Sequence, residues 1–138
     1  MEWEKGMTIT PIELVITPEL VKLYAEVSGD HNRLHLDEEF ARTTRFGTRI
    51  AHGMLLMAVV TEMLMGAFGL SWARSGQLDV SFVAPVPVGS TLHTDGQVTG
   101  VSLDQEGYHF AIETWATIDN GQKVLTATGS VLLSSDLI

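Results

Sequence analysis

Two periodicities divide the chain. Between Leu20 and Phe68 apolar residues return every three or four positions, and from Gln77 onward they alternate with polar ones, so helices are expected first and strands after them. Ahead of both, Met7 to Ile16 alternates loosely and is rich in β-branched residues. That predicts a first strand, interrupted or edged at Pro11, because proline has no N–H to give to a ladder. Thr17-Pro18-Glu19 then supplies an N-cap, a proline at the first helical position and an acid in the first turn, after which Leu20, Leu23, Tyr24 and Val27 recur at helical spacing. This helix should stop near Ser28, since Gly29-Asp30 and Asn32 are turn formers, leaving Asp30 and His35 on irregular chain. Asp37 is placed to cap a second short helix through Phe40 and Ala41, with loop from Thr43 to Thr48.

Gly53 to Phe68 is apolar nearly all round, the pattern of a helix wrapped by a sheet rather than one lying on a surface. The strands follow: Leu78, Val80 and Phe82 against Asp79 and Ser81, then Thr91 to Leu103, Tyr108 to Ile118 and Lys123 to Leu133. Asn120-Gly121 between the last two is a strong hairpin signal. The order predicts an α+β fold, one long central helix against a curled antiparallel sheet, in a single domain spanning residues 1–138.

Composition changes this picture at a few points. The apolar run Met54 to Leu70 is broken by Thr61-Glu62, Gly66 and Gly69 and falls short of the ~20 residues a membrane span needs, so it reads as a core helix. Met1 to Lys5 lacks the basic and apolar regions of a secretory signal, which makes the cytoplasm the expected location. Without cysteine there is no disulfide framework, thiol nucleophile or cysteine-ligated metal. The net charge of −9 argues against general nucleic-acid binding, which relies on basic surface.

The candidate chemistry crowds into Ser28-Gly29-Asp30-His31-Asn32-Arg33-Leu34-His35. On one continuous helix Asp30 and His35 would diverge by roughly 140°; a folded-back loop brings them together. A carboxylate beside an imidazole is suited to moving one proton on and another off near neutral pH. A calcium loop starting at Asp30 fails, because His35 and Ala41 stand where its glycine and glutamate belong. His31 and His35 have a metal-ligand spacing only if helical, and no glutamate accompanies them, so no metal is expected. His52, before the apolar helix, reads as a hydrogen-bonded structural histidine. Gly53 opens that helix, where backbone amides are unpaired and partly positive and a carbonyl oxygen can approach closely, as in an oxyanion hole. Arg33, Arg42, Arg45 and Arg49 are four of the eight basic residues. Arg42, Arg45 and Arg49 are accordingly candidates for binding phosphates, against the plainer reading of solvated loop charges.

Tyr24 to His35, followed by Ala41, resembles the hydratase 2 signature of MaoC-like, (R)-specific enoyl-CoA hydratases, and matches it everywhere except Arg33, where the family has proline. Arg49 to Leu55 resembles the segment that opens the family's central helix, and Phe82 to Gly89 the strand and loop after it. The resemblance implies a hotdog fold, a homodimer, and reversible hydration of a trans-2-enoyl thioester of CoA or acyl carrier protein to the (R)-3-hydroxyacyl product, without a cofactor. It implies Asp30 and His35 as the catalytic pair, Asn32 as a brace, the Gly53 amide on the thioester carbonyl, and Thr61 where family members carry a serine. Thr61 could equally bond the carbonyl one turn back. Two rivals are a hotdog thioesterase using Glu62 to activate water and a non-catalytic acyl-thioester-binding module.

Overall fold

The computed structural model describes residues 3–134; Met1 and Glu2, which entered the reading of the N-terminus, lie outside the described residues. Five strands and five helices follow in the order β1 (Ile12–Val15), α1 (Pro18–Ser28), α2 (Arg33–Leu36), α3 (Glu38–Arg42), α4 (Gly53–Phe68), α5 (Leu70–Ser75), β2 (Gln77–Phe82), β3 (Thr91–Leu103), β4 (Gly107–Thr117) and β5 (Lys123–Ser134). The strands form one open antiparallel sheet in the order β1-β3-β4-β5-β2.

Proline does interrupt the first strand. Thr8 bridges Gln97 and Ile12 pairs with Thr94, a register one residue out of step across Pro11, so only Ile12–Val15 forms regular ladder. Thr17 caps α1 by accepting from the Leu20 amide at 3.1 Å, and Gly29 ends it at φ 80°, a left-handed conformation that glycine adopts without Cβ strain. Asn120-Gly121 turns β4 into β5, with Gly121 also at φ 80°.

The core lies between α4 and the concave side of the sheet. Leu55, Leu56, Val59, Val60, Met63, Leu64 and Phe68 make a broad stripe along α4, which contacts β1, β3, β4 and β5. Every second residue of the long strands meets it, including Leu92 and Val98 of β3, Phe110 and Ile112 of β4, and Leu125 and Val131 of β5. The helix is not enclosed on every side, however. Met54, Ala58, Glu62, Met65 and Gly66 are exposed along one face of it, so its nearly uniform apolarity overstates its burial within one chain. The sequence also gave no sign of α5: Trp72 is buried there, and Ser75 Oγ donates to Ser71 O at 2.8 Å while accepting from the Leu132 amide at 2.9 Å, pinning the helix to β5. A long helix laid across a curled antiparallel sheet is the hotdog architecture. Among the described residues no helix is long and apolar enough to cross a membrane.

The seam between β5 and the edge strand β2 depends on Gly129, which stands opposite Leu78; a Cβ there would collide with the backbone carbonyl oxygen of Gln77. Gly129→Ala is expected to destabilise the protein by about 1–3 kcal/mol, the usual cost of overpacking a fixed backbone. Urea unfolding measures it, and an unchanged midpoint would mean that β2 is free to shift.

Candidate active site

Asn32 builds the local frame. Its side chain accepts from the Leu34 amide at 3.0 Å and starts α2, while Asp30 Oδ1 accepts from the Asn32 amide at 3.1 Å, and Ser28 Oγ from the Asp30 amide at 3.2 Å. The expectation that Asp30 and His35 both lie on irregular chain needs correction. Asp30 is on the loop, but His35 sits on the single helical turn α2, because the Asn32 cap lets one turn form before Asp37 caps the next through the Phe40 amide at 3.1 Å. The turn aims the imidazole back at the loop, and His35 Nε2 lies 3.9 Å from Asp30 Oδ2.

His35 is buried, and its Nδ1 is 2.7 Å from the carbonyl of Ile50, just ahead of α4. A carbonyl can only accept, so Nδ1 carries a hydrogen and the neutral ring presents Nε2 as a lone pair toward Asp30. The two are both acceptors and do not bond each other, and they stand 3.9 Å apart. A donor placed between them, such as a water molecule, can give one hydrogen to each.

His52, not His31, is the histidine brought beside His35. The two rings stack at 3.8 Å between centroids, Tyr24 meets His52 edge-on at 4.9 Å, and His52 Nε2–H donates to the backbone carbonyl of Asp30 at 3.0 Å. That is the structural hydrogen bond expected of His52, but it lands on the motif loop itself. Burial pushes the His52 pKa down, against the opposing pull of the Asp30 carbonyl, and among the described residues its Nδ1 has no partner. Asp30, His35 and His52 bring three potential metal donors within 4.8 Å of one another, as do Asp104, Glu106 and His109 on the β3–β4 hairpin.

Gly53 follows directly. The His52 side chain does not cap α4, and among the described residues nothing accepts a hydrogen bond from the Gly53 amide. The ring of Phe82 lies against this glycine, 3.2 Å from where a Cβ would stand, and a cavity of about 370 Å³ runs beside it between Arg45, Phe46, Leu56 and Pro85. Neither the Phe82 contact nor the His35–His52 stack left a local signal in the sequence, since both join segments far apart along the chain. Thr61 donates its hydroxyl hydrogen to the Met57 carbonyl at 2.9 Å, one turn back. Of the candidate phosphate ligands, Arg49 pairs with Glu38 at 3.0 Å and Arg42 approaches the same carboxylate at 4.0 Å, while Arg45 lies over Phe46 at the cavity. Glu62 lines a separate groove with Trp3, Thr10 and Pro11.

Arg33 is the first residue of α2, where a helix amide has no partner, and Asn32 before it has φ −55° and ψ 129°, the extended range a following proline demands. Its side chain pairs with exposed Asp37 at 3.3 Å and lies over Phe40. Arg33→Pro and Arg33→Ala both lose those contacts, so comparing them isolates the backbone. Proline is expected to be the more stable by about 0.4–1 kcal/mol in thermal or urea unfolding, through the narrower unfolded ensemble.

The lowered His52 pKa has its own signature. The unfolded chain binds that proton more readily than the folded one, so stability is full above the ordinary histidine value near 6.5 and declines as pH falls below it. Asp37, Glu38 and Asp104, whose carboxyl pKa values are also lowered, act in a more acidic window. The urea midpoint should therefore fall between pH 7 and pH 5, and fall less in His52→Gln; parallel curves would contradict this.

Comparison with known proteins agrees with the geometry. The family model for the MaoC like domain matches residues 2–117. The chain is 36% identical over 124 residues to 3-hydroxyacyl-thioester dehydratase Z of Mycobacterium tuberculosis, spanning 86% of this chain and 82% of that protein. It is 37% identical over 113 residues to the (R)-specific enoyl-CoA hydratase of Rhodospirillum rubrum, spanning 82% and 76%. The solved structure of an (R)-hydratase from A. caviae, described as involved in PHA biosynthesis, superposes with a TM-score of 0.81 at 28% identity over 94% of this chain and 96% of that one. With the motif loop, the opening of α4 and the hotdog sheet all in agreement, the chain belongs to the MaoC-like family of hydratases and dehydratases.

Proposed function

We propose that this protein, acting as one domain over residues 1–138 in the cytoplasm, reversibly hydrates a trans-2-enoyl thioester of CoA or acyl carrier protein to the (R)-3-hydroxyacyl thioester. The observation that carries the reading is the 3.9 Å separation of Asp30 Oδ2 and His35 Nε2, with the ring fixed from behind by the Ile50 carbonyl. Hydration needs water at C3, a proton at C2 and stabilisation of negative charge on the thioester oxygen. Asp30 and His35 hold a water between them. One takes its proton as the oxygen bonds to C3, a proton passes from the pair to C2, and the pair ends in its starting protonation state. Because the two groups are coupled, the base and acid roles belong to the pair. The free Gly53 amide receives the thioester oxygen at the positive end of α4. Asn32 braces the loop through its cap. Thr61 serves as an acceptor near the substrate, its one hydrogen being committed to Met57.

The cavity beside Gly53 supplies an apolar path for the thioester arm, and Arg45, which lines it, is the best placed of the three arginines for carrier phosphate, Arg42 and Arg49 being paired with Glu38. A homodimer is part of the reading, supported by the exposed Met54, Met65, Phe82 and Val83 on the α4 and β2 side. The thioesterase alternative is not favoured. Glu62 faces a groove that it lines with Trp3, Thr10 and Pro11, and neither Asp30 nor His35 lines that groove.

A panel of enoyl-CoA thioesters, followed by loss of conjugated-enoyl absorbance beside thiol release, tests the reading: absorbance should fall without free thiol. Asp30→Asn and His35→Ala should each remove most turnover, about 10²-fold or more, and the double variant should lose little beyond either, because the pair acts as a unit. Thiol release at the rate of enoyl loss, or full turnover in either folded single variant, would overturn it.

A further inference from the structure

His52 is 2% exposed and sits between the catalytic loop and the helix that carries Gly53, in a role that the hydration steps above leave unassigned. Its Nε2–H reaches the Asp30 carbonyl at 3.0 Å, and its ring face lies on His35 at 3.8 Å with 27° between the planes. Tyr24 of α1 meets the same ring edge-on at 4.9 Å. Residues 50 to 53 thus supply in succession the carbonyl that holds His35 Nδ1, the ring that supports the His35 face together with the donor that fixes the Asp30 backbone, and the free Gly53 amide.

We propose that His52 is a positioning residue, a neutral imidazole locked as its Nε2–H tautomer, which holds Asp30 and His35 in fixed register with the Gly53 amide. This rests on the hydration reading for what the register serves, but the tautomer and its contacts do not depend on it. The lock follows from the surroundings. The Asp30 carbonyl can only accept, which puts the hydrogen on Nε2, and among the described residues buried Nδ1 meets no acceptor that could share a second proton. A cationic His52 would also lie face to face with His35, one half of the pair that holds and passes the proton. A neutral His52 adds no second charge beside that pair. A histidine serving only as filling would be replaceable by any ring of similar size; one that positions Asp30 needs its N–H.

Two substitutions separate these functions, because phenylalanine keeps the ring and loses the donor, while glutamine keeps a donor near Nε2 and loses the ring. Misplacement of a reacting group by about 1 Å can cost 10²-fold in rate. For His52→Phe, kcat should drop by about that factor with KM within about threefold. His52→Gln should recover at least about a tenth of wild-type kcat, again with KM little changed. Two-bond ¹H–¹⁵N correlation spectra of the wild-type protein, without substrate, should show His52 as the Nε2–H tautomer between pH 6 and 8. Circular dichroism and thermal melts confirm folding of each variant, and if His52→Phe does not fold, the tautomer spectrum and His52→Gln decide. An Nδ1–H tautomer or a cation at pH 7, wild-type kcat in folded His52→Phe, or a loss confined to KM would each overturn the proposal. If the wild-type protein shows no hydration at all, the hydration reading fails, while the tautomer spectrum still decides whether the lock exists.

Discussion

The hydrogen bond from buried His35 Nδ1–H to the Ile50 carbonyl, 2.7 Å long, ties α2, the turn after the motif loop, to the root of the central helix. Much else depends on that junction. The Ala51 amide bonds to the Val86 carbonyl at 2.8 Å, and Val88 to the Arg49 carbonyl at 3.0 Å, so the segment before α4 is clamped to the chain leading into β3. From the other side, His52 reaches the Asp30 carbonyl. A short run of backbone therefore fixes an imidazole, a carboxylate-bearing loop and an unpaired helix amide relative to one another. The broad stripe of α4 packed on the sheet holds the run rigid, which a site needs when its reactive groups must stay in register.

The electrostatics of the junction follow from which groups water can reach. The side chain of Asp30 is about half exposed and that of His35 is 11% exposed, so the pair combines a solvated carboxylate with a shielded ring. His52 is more buried still, and its surroundings favour the neutral form. The charges nearby are arranged differently: Arg33 with Asp37 and Arg42 with Glu38 pair along the α2–α3 turns and carry little energy in water, while the partly buried Arg49, ahead of α4, reaches back to Glu38 at 3.0 Å. Arg45, stacked on Phe46 rather than on a carboxylate, is the arginine left available at the cavity.

Elements whose periodicity runs over many residues were legible in the sequence. Thr91 to Leu103 and Gly53 to Phe68 appear with the expected ends, and Thr17 and Asp37 cap the helices they precede. Two short elements without a readable period were not: α2 is one turn long, and α5 follows closely on Gly69. The apolarity of α4 predicted its centrality but not its open face, because a pattern within one chain cannot say which side meets the sheet. Within the site, the meeting of Asp30 and His35 was legible because the turn formers between them force the chain back. The approach of His52 and of Phe82 was not, since each depends on how α4 docks rather than on neighbouring residues.

In the proposed hydration one compact pair, on one side of the bound substrate, delivers both the hydroxyl and the proton. Hydration of an enoyl-CoA in D₂O, with NMR assignment of configuration at C2 and C3, tests it directly. Two groups about 4 Å apart predict addition of hydroxyl and deuteron to the same face, and the proposed activity requires that face to be the one that yields the (R)-3-hydroxy product. Addition to opposite faces, or an (S)-3-hydroxy product, would contradict the account.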